Sequence, residues 1–118
     1  MLAGGAIGAT AIQGLHAQAK PPSFVIAEIT VNNQDAYNKE YLPLITKAIS
    51  DGGGKFLVRG GKTASFQGAP PAPRVIILQY ESLDKAQAWN NSQATKDAQV
   101  IGNKYATIRS FAVEGMSP

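Results

Sequence analysis

Arg59 stands in the stretch KFLVRGG, between an apolar run and two glycines. A guanidinium can grip a carboxylate or another anion through two parallel hydrogen bonds, so Arg59 is the first candidate for anion holding. Glu28, in FVIAEITV, is its natural counter-charge, and the plainer reading is a structural Glu28–Arg59 ion pair. Tyr37 and Tyr41 are four residues apart, which puts both phenols on one face of a helix. Such a stripe with Trp89 is ordinarily core, but a phenol reaching a cleft could donate a hydrogen bond or a proton. Gln79 is a further polar candidate on a strand.

The chain has no cysteine and one histidine, His16. Thiol catalysis, disulfides, zinc–thiolate sites and iron–sulfur clusters are thereby excluded. Without His16, proton transfer and nucleophilic attack fall to Asp, Glu, Lys, Tyr and Ser, and no Ser-His-Asp triad can form in one chain. Metal-ligand spacing is missing, so no metal and no cofactor is expected. Gly52-Gly53-Gly54 is a helix stop; the Lys-Ser/Thr of a phosphate loop does not follow it.

A length of 118 residues with 44% apolar side chains fits one domain with one modest core. Eleven basic and eight acidic residues give +3, scattered without a basic run. That pattern is a solvated mixed-charge surface and excludes nucleic acid as an expected partner.

Residues 1–19 are small and apolar, and Ala17-Gln18-Ala19 before Lys20 matches the end of a secretory signal cut after Ala19. The positive n-region is missing, so the signal is read as truncated, the alternative being a disordered Ala/Gly tail. The run Leu2–Leu15 is too short and glycine-rich to span a membrane. The expected location is a bacterial periplasm or the exterior.

The elements that must position the candidates read in the order βαββαβ. Residues 24–31 form a strand, and Asn33 caps a helix from about Gln34 to Ser50 that Pro43 is expected to kink. Phe56 to Gly60 is a strand, with a bulge expected at Arg59-Gly60-Gly61 and a continuation to Phe66. Arg74 to Tyr80 is the third strand. Ser82 caps a second helix through Trp89, residues 93–103 form a short helix or irregular turn, and Ile108 to Glu114 is the last strand. A shift of 49 positions lays Asn33 on Ser82 and Asp35 on Asp84. The fold class is α+β, ferredoxin-like, a four-stranded antiparallel sheet with both helices on one face.

Alternation turns Val25, Ala27, Ile29, Val31, Ile76, Leu78 and Tyr80 towards the helices. The open face then receives Phe24, Ile26, Glu28, Thr30, Leu57, Arg59, Val75, Ile77, Gln79 and Ile108. So much apolar surface calls for a cover, and the simplest is a second copy, sheet against sheet. Glu28, Arg59 and Gln79 would border the cleft between the sheets. The Pro-rich loop 68–73 would clasp the partner or lid the cleft.

The blocks FVIAEITVNNQDAYNKEYLPL, GGKFLVRGG, RVIILQYESLDKAQAWNNS and ATIRSFAVEG, over about residues 24–115, resemble the bacterial domain-of-unknown-function family 1330. The resemblance implies a dimeric α+β barrel of ferredoxin-like protomers, a group that includes cofactor-free monooxygenases. The histidine that ligates haem in haem-binding relatives is absent. The expectation is a homodimeric domain holding a small, partly apolar organic acid in a cleft. The alternatives are a non-catalytic interaction module and a monooxygenase-like or isomerase-like enzyme. A pocket of several hundred Å³ with convergent polar groups would favour the first over a dry interface.

Overall fold

A computed structural model of the protein describes residues 20–118; the expected leader at residues 1–19 lies outside the described residues. Strand β1 (Ser23–Val31) is built of β-branched and apolar residues and lies inside the sheet. Asn33 ends it by turning its carbonyl oxygen Oδ1 onto the Ala36 amide at 3.1 Å, which caps the next helical run. That run has three parts: α1 (Gln34–Ala36), a π-helical turn (Tyr37–Tyr41) and α2 (Leu42–Asp51). Then come β2 (Lys55–Arg59), β3 (Arg74–Tyr80), α3 (Leu83–Asn91), α4 (Gln93–Tyr105) and β4 (Ala106–Glu114).

The sheet order is β2–β3–β1–β4 with every neighbour antiparallel, the ferredoxin-like arrangement expected from βαββαβ. Val25 and Ile29 from β1 and Ile76, Leu78 and Tyr80 from β3 are buried against Tyr41, Ile45 and Ile49 of the first helical layer and Trp89 of α3. Ser82 and Ser92 cap α3 and α4, accepting hydrogen bonds from the Lys85 and Thr95 amides at 3.2 and 3.3 Å. Residues 93–105 are therefore a full helix; the Ser92 cap was the sequence signal for it.

Pro43 does not kink a continuous α-helix. It enters at the start of α2, just after the π-helical turn, in which the Leu42 amide donates to Tyr37 O five residues back. The surplus residue accommodates the donor that proline lacks and the bulk of its ring. The strand bulge also sits elsewhere than expected. Phe56 pairs with Leu78 and Val58 with the next residue, Ile77, so Leu57 is the extra residue and the glycines only end the strand. β2 stops at Arg59, and residues 61–70 are exposed and outside any strand.

Two face assignments change in consequence. Past the bulge, Val58 joins the open face opposite Ile77, while Arg59 lies opposite Ile76 on the helix side. Ile108 pairs with Ile29 and packs on the core, so in β4 it is Arg109, Phe111 and Val113 that look outward. The register with β1, which sets Ile108 opposite the buried Ile29, fixes these faces; the periodicity of β4 alone does not. The open face still carries an apolar row across all four strands: Phe111, Ile26, Ile77 and Val58.

Candidate functional site

The bulge in β2 decides the chemistry, because it rotates Arg59 to the helix side. Two residues before Ile76 on the same face of β3 is Arg74, so Arg59 and Arg74 are diagonal neighbours. Such pairs have backbones about 7–8 Å apart, within reach of long side chains. Gly60 makes room for Arg74. It adopts φ +75°, and a Cβ there would stand 2.8 Å from Arg74 Nη1, so the guanidinium lies against the backbone that follows Arg59. The Arg59 Cζ sits 4.2 Å from the Phe56 ring centroid, a cation–π contact that steadies its stem.

Neither arginine has a counter-charge among the described residues. Among the described residues the ion pairs are Lys20–Asp84, Lys47–Asp51 and Arg109–Glu28. Arg74 Nε is buried without a hydrogen-bond partner. Two like charges on diagonal neighbours repel each other. An anion at this spot would remove that repulsion and fill the orphaned donor.

Both arginines line a cavity of about 210 Å³ between the helical layer and the sheet. Four residues along β3 separate Arg74 from Leu78, about 13 Å of strand. The cavity is accordingly basic near Arg59 and Arg74 and apolar towards Val25, Ile49, Leu78 and Trp89. Tyr37 and Tyr41 overhang it from the π-helical turn, ring centroids 5.1 Å apart. Burial raises the Tyr37 phenol pKa above its ordinary value, with the Arg74 guanidinium pulling the other way. Burial drives Tyr41 well above that range, and the neighbouring Tyr37 adds to the rise. Both phenols therefore stay neutral near pH 7 and can serve as hydrogen-bond donors. From α4, Gln99 and Asn103 complete the wall.

The structure thus gathers Arg59, Tyr37, Tyr41 and Trp89 around one cavity, but it is the cavity under the helices and not a cleft between sheets. Glu28 and Gln79 are not part of it. Glu28 faces the opposite side of the sheet, so the expected Glu28–Arg59 pair does not form. Its Oε2 accepts from Arg109 at 3.0 Å and its Oε1 from the Ala72 amide at 3.1 Å, which ties the long β2–β3 connection to β4. Gln79 pairs with Phe24 and Lys55 on that same open side. Arg74 is the residue that the sequence reading missed. Its signal was present, since it shares the parity of Ile76 and Leu78, which had been placed towards the helices.

No helix among the described residues is long and apolar enough to cross a membrane, and no cluster of His, Asp and Glu there could hold a metal ion. None of the curated proteins matches the chain. Among solved structures it is similar to the methylated RPA0582 protein, at 15% identity and TM-score 0.64 over 92% of each chain. RPA0582 from Rhodopseudomonas palustris, a protein of unknown function, matches at 15% and 0.56, over 92% of this chain and 94% of that one. A conserved protein of unknown function from Bacteroides thetaiotaomicron, described as a possible oxidoreductase, matches at 11% and 0.53, over 82% and 100%. These likenesses show the α+β fold. The family model named Domain of unknown function (DUF1330) matches residues 22–116, nearly all of the sheet-and-helix unit described above, and the chain belongs to that family.

Proposed function

We propose that this domain binds a small, partly apolar organic acid in the cavity between its helices and its sheet. The observation that carries the reading is the pair Arg59 and Arg74, both without a carboxylate partner, at one end of a cavity whose other end is apolar. A volume of 210 Å³ corresponds to about seven waters at about 30 Å³ each, below the usual range for drug-sized ligands. The acid is therefore short. The two neutral phenols orient it as donors, and Trp89 and Ile49 receive its apolar end.

Calorimetric titration with straight-chain monocarboxylates of increasing length tests this. One length should bind saturably, and Arg74→Ala should weaken that binding about 10- to 100-fold, since a hydrogen bond to a charged group contributes about 1.5–3 kcal/mol. The unliganded variant should be at least as stable as the parent, because a repulsion has been removed. Absence of saturable binding across the series, or a loss of stability with unchanged affinity, would overturn the reading and leave the non-catalytic module. Turnover of the bound acid without added cofactor would move it to the monooxygenase-like or isomerase-like alternative.

The same reading has the domain exported, residues 1–19 being its leader, and homodimeric through the open face. Support for the dimer comes from the row Phe111–Ile26–Ile77–Val58, which leaves Phe111 and Val58 at the surface with 45% and 37% exposure. A two-fold partner offers the same row in return. Sedimentation at micromolar concentration should give a dimer, and Phe111→Glu, which buries a carboxylate in that row, should give a monomer. A monomeric parent protein would end this part of the proposal.

A further inference from the structure

We propose that the head group taken by this cavity carries two negative charges, as a geminal dicarboxylate or a phosphate monoester does, and not one. The inference rests on the binding reading above and narrows its ligand class. Arg59 and Arg74 are two separate forks. They sit diagonally across β2 and β3 on the same face, with Gly60 shaped to let the Arg74 guanidinium lie against the chain. Each fork offers parallel donors that match a pair of oxygens.

A monocarboxylate has two oxygens. It can meet one fork bidentately and offer the other only its remaining lone pairs, leaving one positive charge uncompensated. Four carboxylate oxygens, or three phosphate oxygens, can meet both forks together. No carboxylate among the described residues supplies the second charge: Glu28, the acid nearest along the strands, points to the far side of the sheet and is held by Arg109 and the Ala72 amide. Arg74 Nε, buried and unpartnered, adds a donor that the head must reach.

Three probes with one butyl tail separate the possibilities at pH 8, where a phosphate monoester is dianionic. These are hexanoate, butylmalonate (hexanoate with a second carboxylate on its second carbon) and butyl phosphate. At least one dianion should bind ten or more times as tightly as hexanoate, and whether butylmalonate or butyl phosphate leads tells the carboxylate source from the phosphate one. Arg59→Gln, at an exposed strand end, should weaken that dianion several times more than it weakens hexanoate, narrowing the gap between them to about threefold. Circular dichroism and Arg59→Lys, which restores charge without the fork, check that the loss is not unfolding. Hexanoate binding as tightly as both dianions would overturn the double-charge inference and leave the acid-binding function standing. Equal weakening of all three probes by Arg59→Gln would overturn it too. Failure of all three to bind would overturn both.

Discussion

Raising the pH above about 10 is expected to destabilise this protein steeply, and its tyrosines are the reason. The chain has four, and all four have phenol pKa values raised above the ordinary 10.0 in the folded state. Tyr41 and Tyr80 are the most affected, both through burial, and Tyr105 rises chiefly by donating to Glu40 at 2.9 Å. A phenol with a raised folded-state pKa stays protonated in the native protein while the unfolded chain ionises. The unfolded state then holds fewer protons, so stability falls as pH rises. The contribution is fully present below about pH 10 and lost as the pH climbs through the folded-state values.

Each deeply buried phenol removes about 1.4 kcal/mol per pH unit in that window, so Tyr41 and Tyr80 together remove about 2.8. Two to three pH units would consume a typical domain stability of about 5–15 kcal/mol at its lower end. Denaturant midpoints between pH 8 and 11.5, read beside phenolate absorbance, provide the measurement. Tyr41→Phe should remove about half of the steep slope. A folded-state phenol ionising below the ordinary value, or a flat stability profile from pH 9 to 11, would contradict this account.

Gly102→Val is expected to cost about 1–3 kcal/mol and to close the cavity. Gly102 is buried on α4, where a Cβ would stand 2.5 Å from Cε1 and 2.7 Å from Cδ1 of Tyr41. That ring is packed against Tyr37, so the room available to it is the cavity it overhangs. Valine adds two further methyl groups and the χ1 stiffness of a branched side chain, so overpacking of about 1–3 kcal/mol outweighs the smaller gain in helix propensity from replacing glycine. Gly102→Ala separates the two effects. Alanine returns about 1 kcal/mol of helix propensity, so stability should move little while acid binding drops. Chemical denaturation and the calorimetric titration read the two quantities, and a valine variant as stable as the parent would refute the clash.

Most of the architecture was legible because it rests on periodicities. Alternation in β1 and β3 assigned their faces, and Asn33 and Ser82 marked helix starts with a side-chain acceptor in place. The site was legible in its parts but not in its location. Tyr37, Tyr41, Trp89 and Arg59 do converge, yet one extra residue at Leu57 moved Arg59 across the sheet and separated it from Glu28. A bulge without a glycine at its extra residue leaves little trace in a run such as KFLVR, because Phe56 and Val58 on either side of Leu57 are good strand formers. Arg74 was overlooked for a different reason: a charge at the first residue of a strand reads as an exposed edge until its cross-strand partner, Ile29, is known.

The wide turn at Tyr37–Tyr41 has one more effect, on gearing. An ordinary helix winds about 100° per residue, so steps of four creep by about 40° each, and the three steps from Tyr37 to Ile49 would accumulate about 120°. The wider turn winds less per residue and takes back part of that creep. Tyr37, Tyr41, Ile45 and Ile49 can then look onto a single floor, the aromatic mouth and the aliphatic base staying in phase. Removing one residue between Asn38 and Glu40 would restore a plain helix and set the two halves out of step, leaving the sheet intact and the chamber above it misaligned.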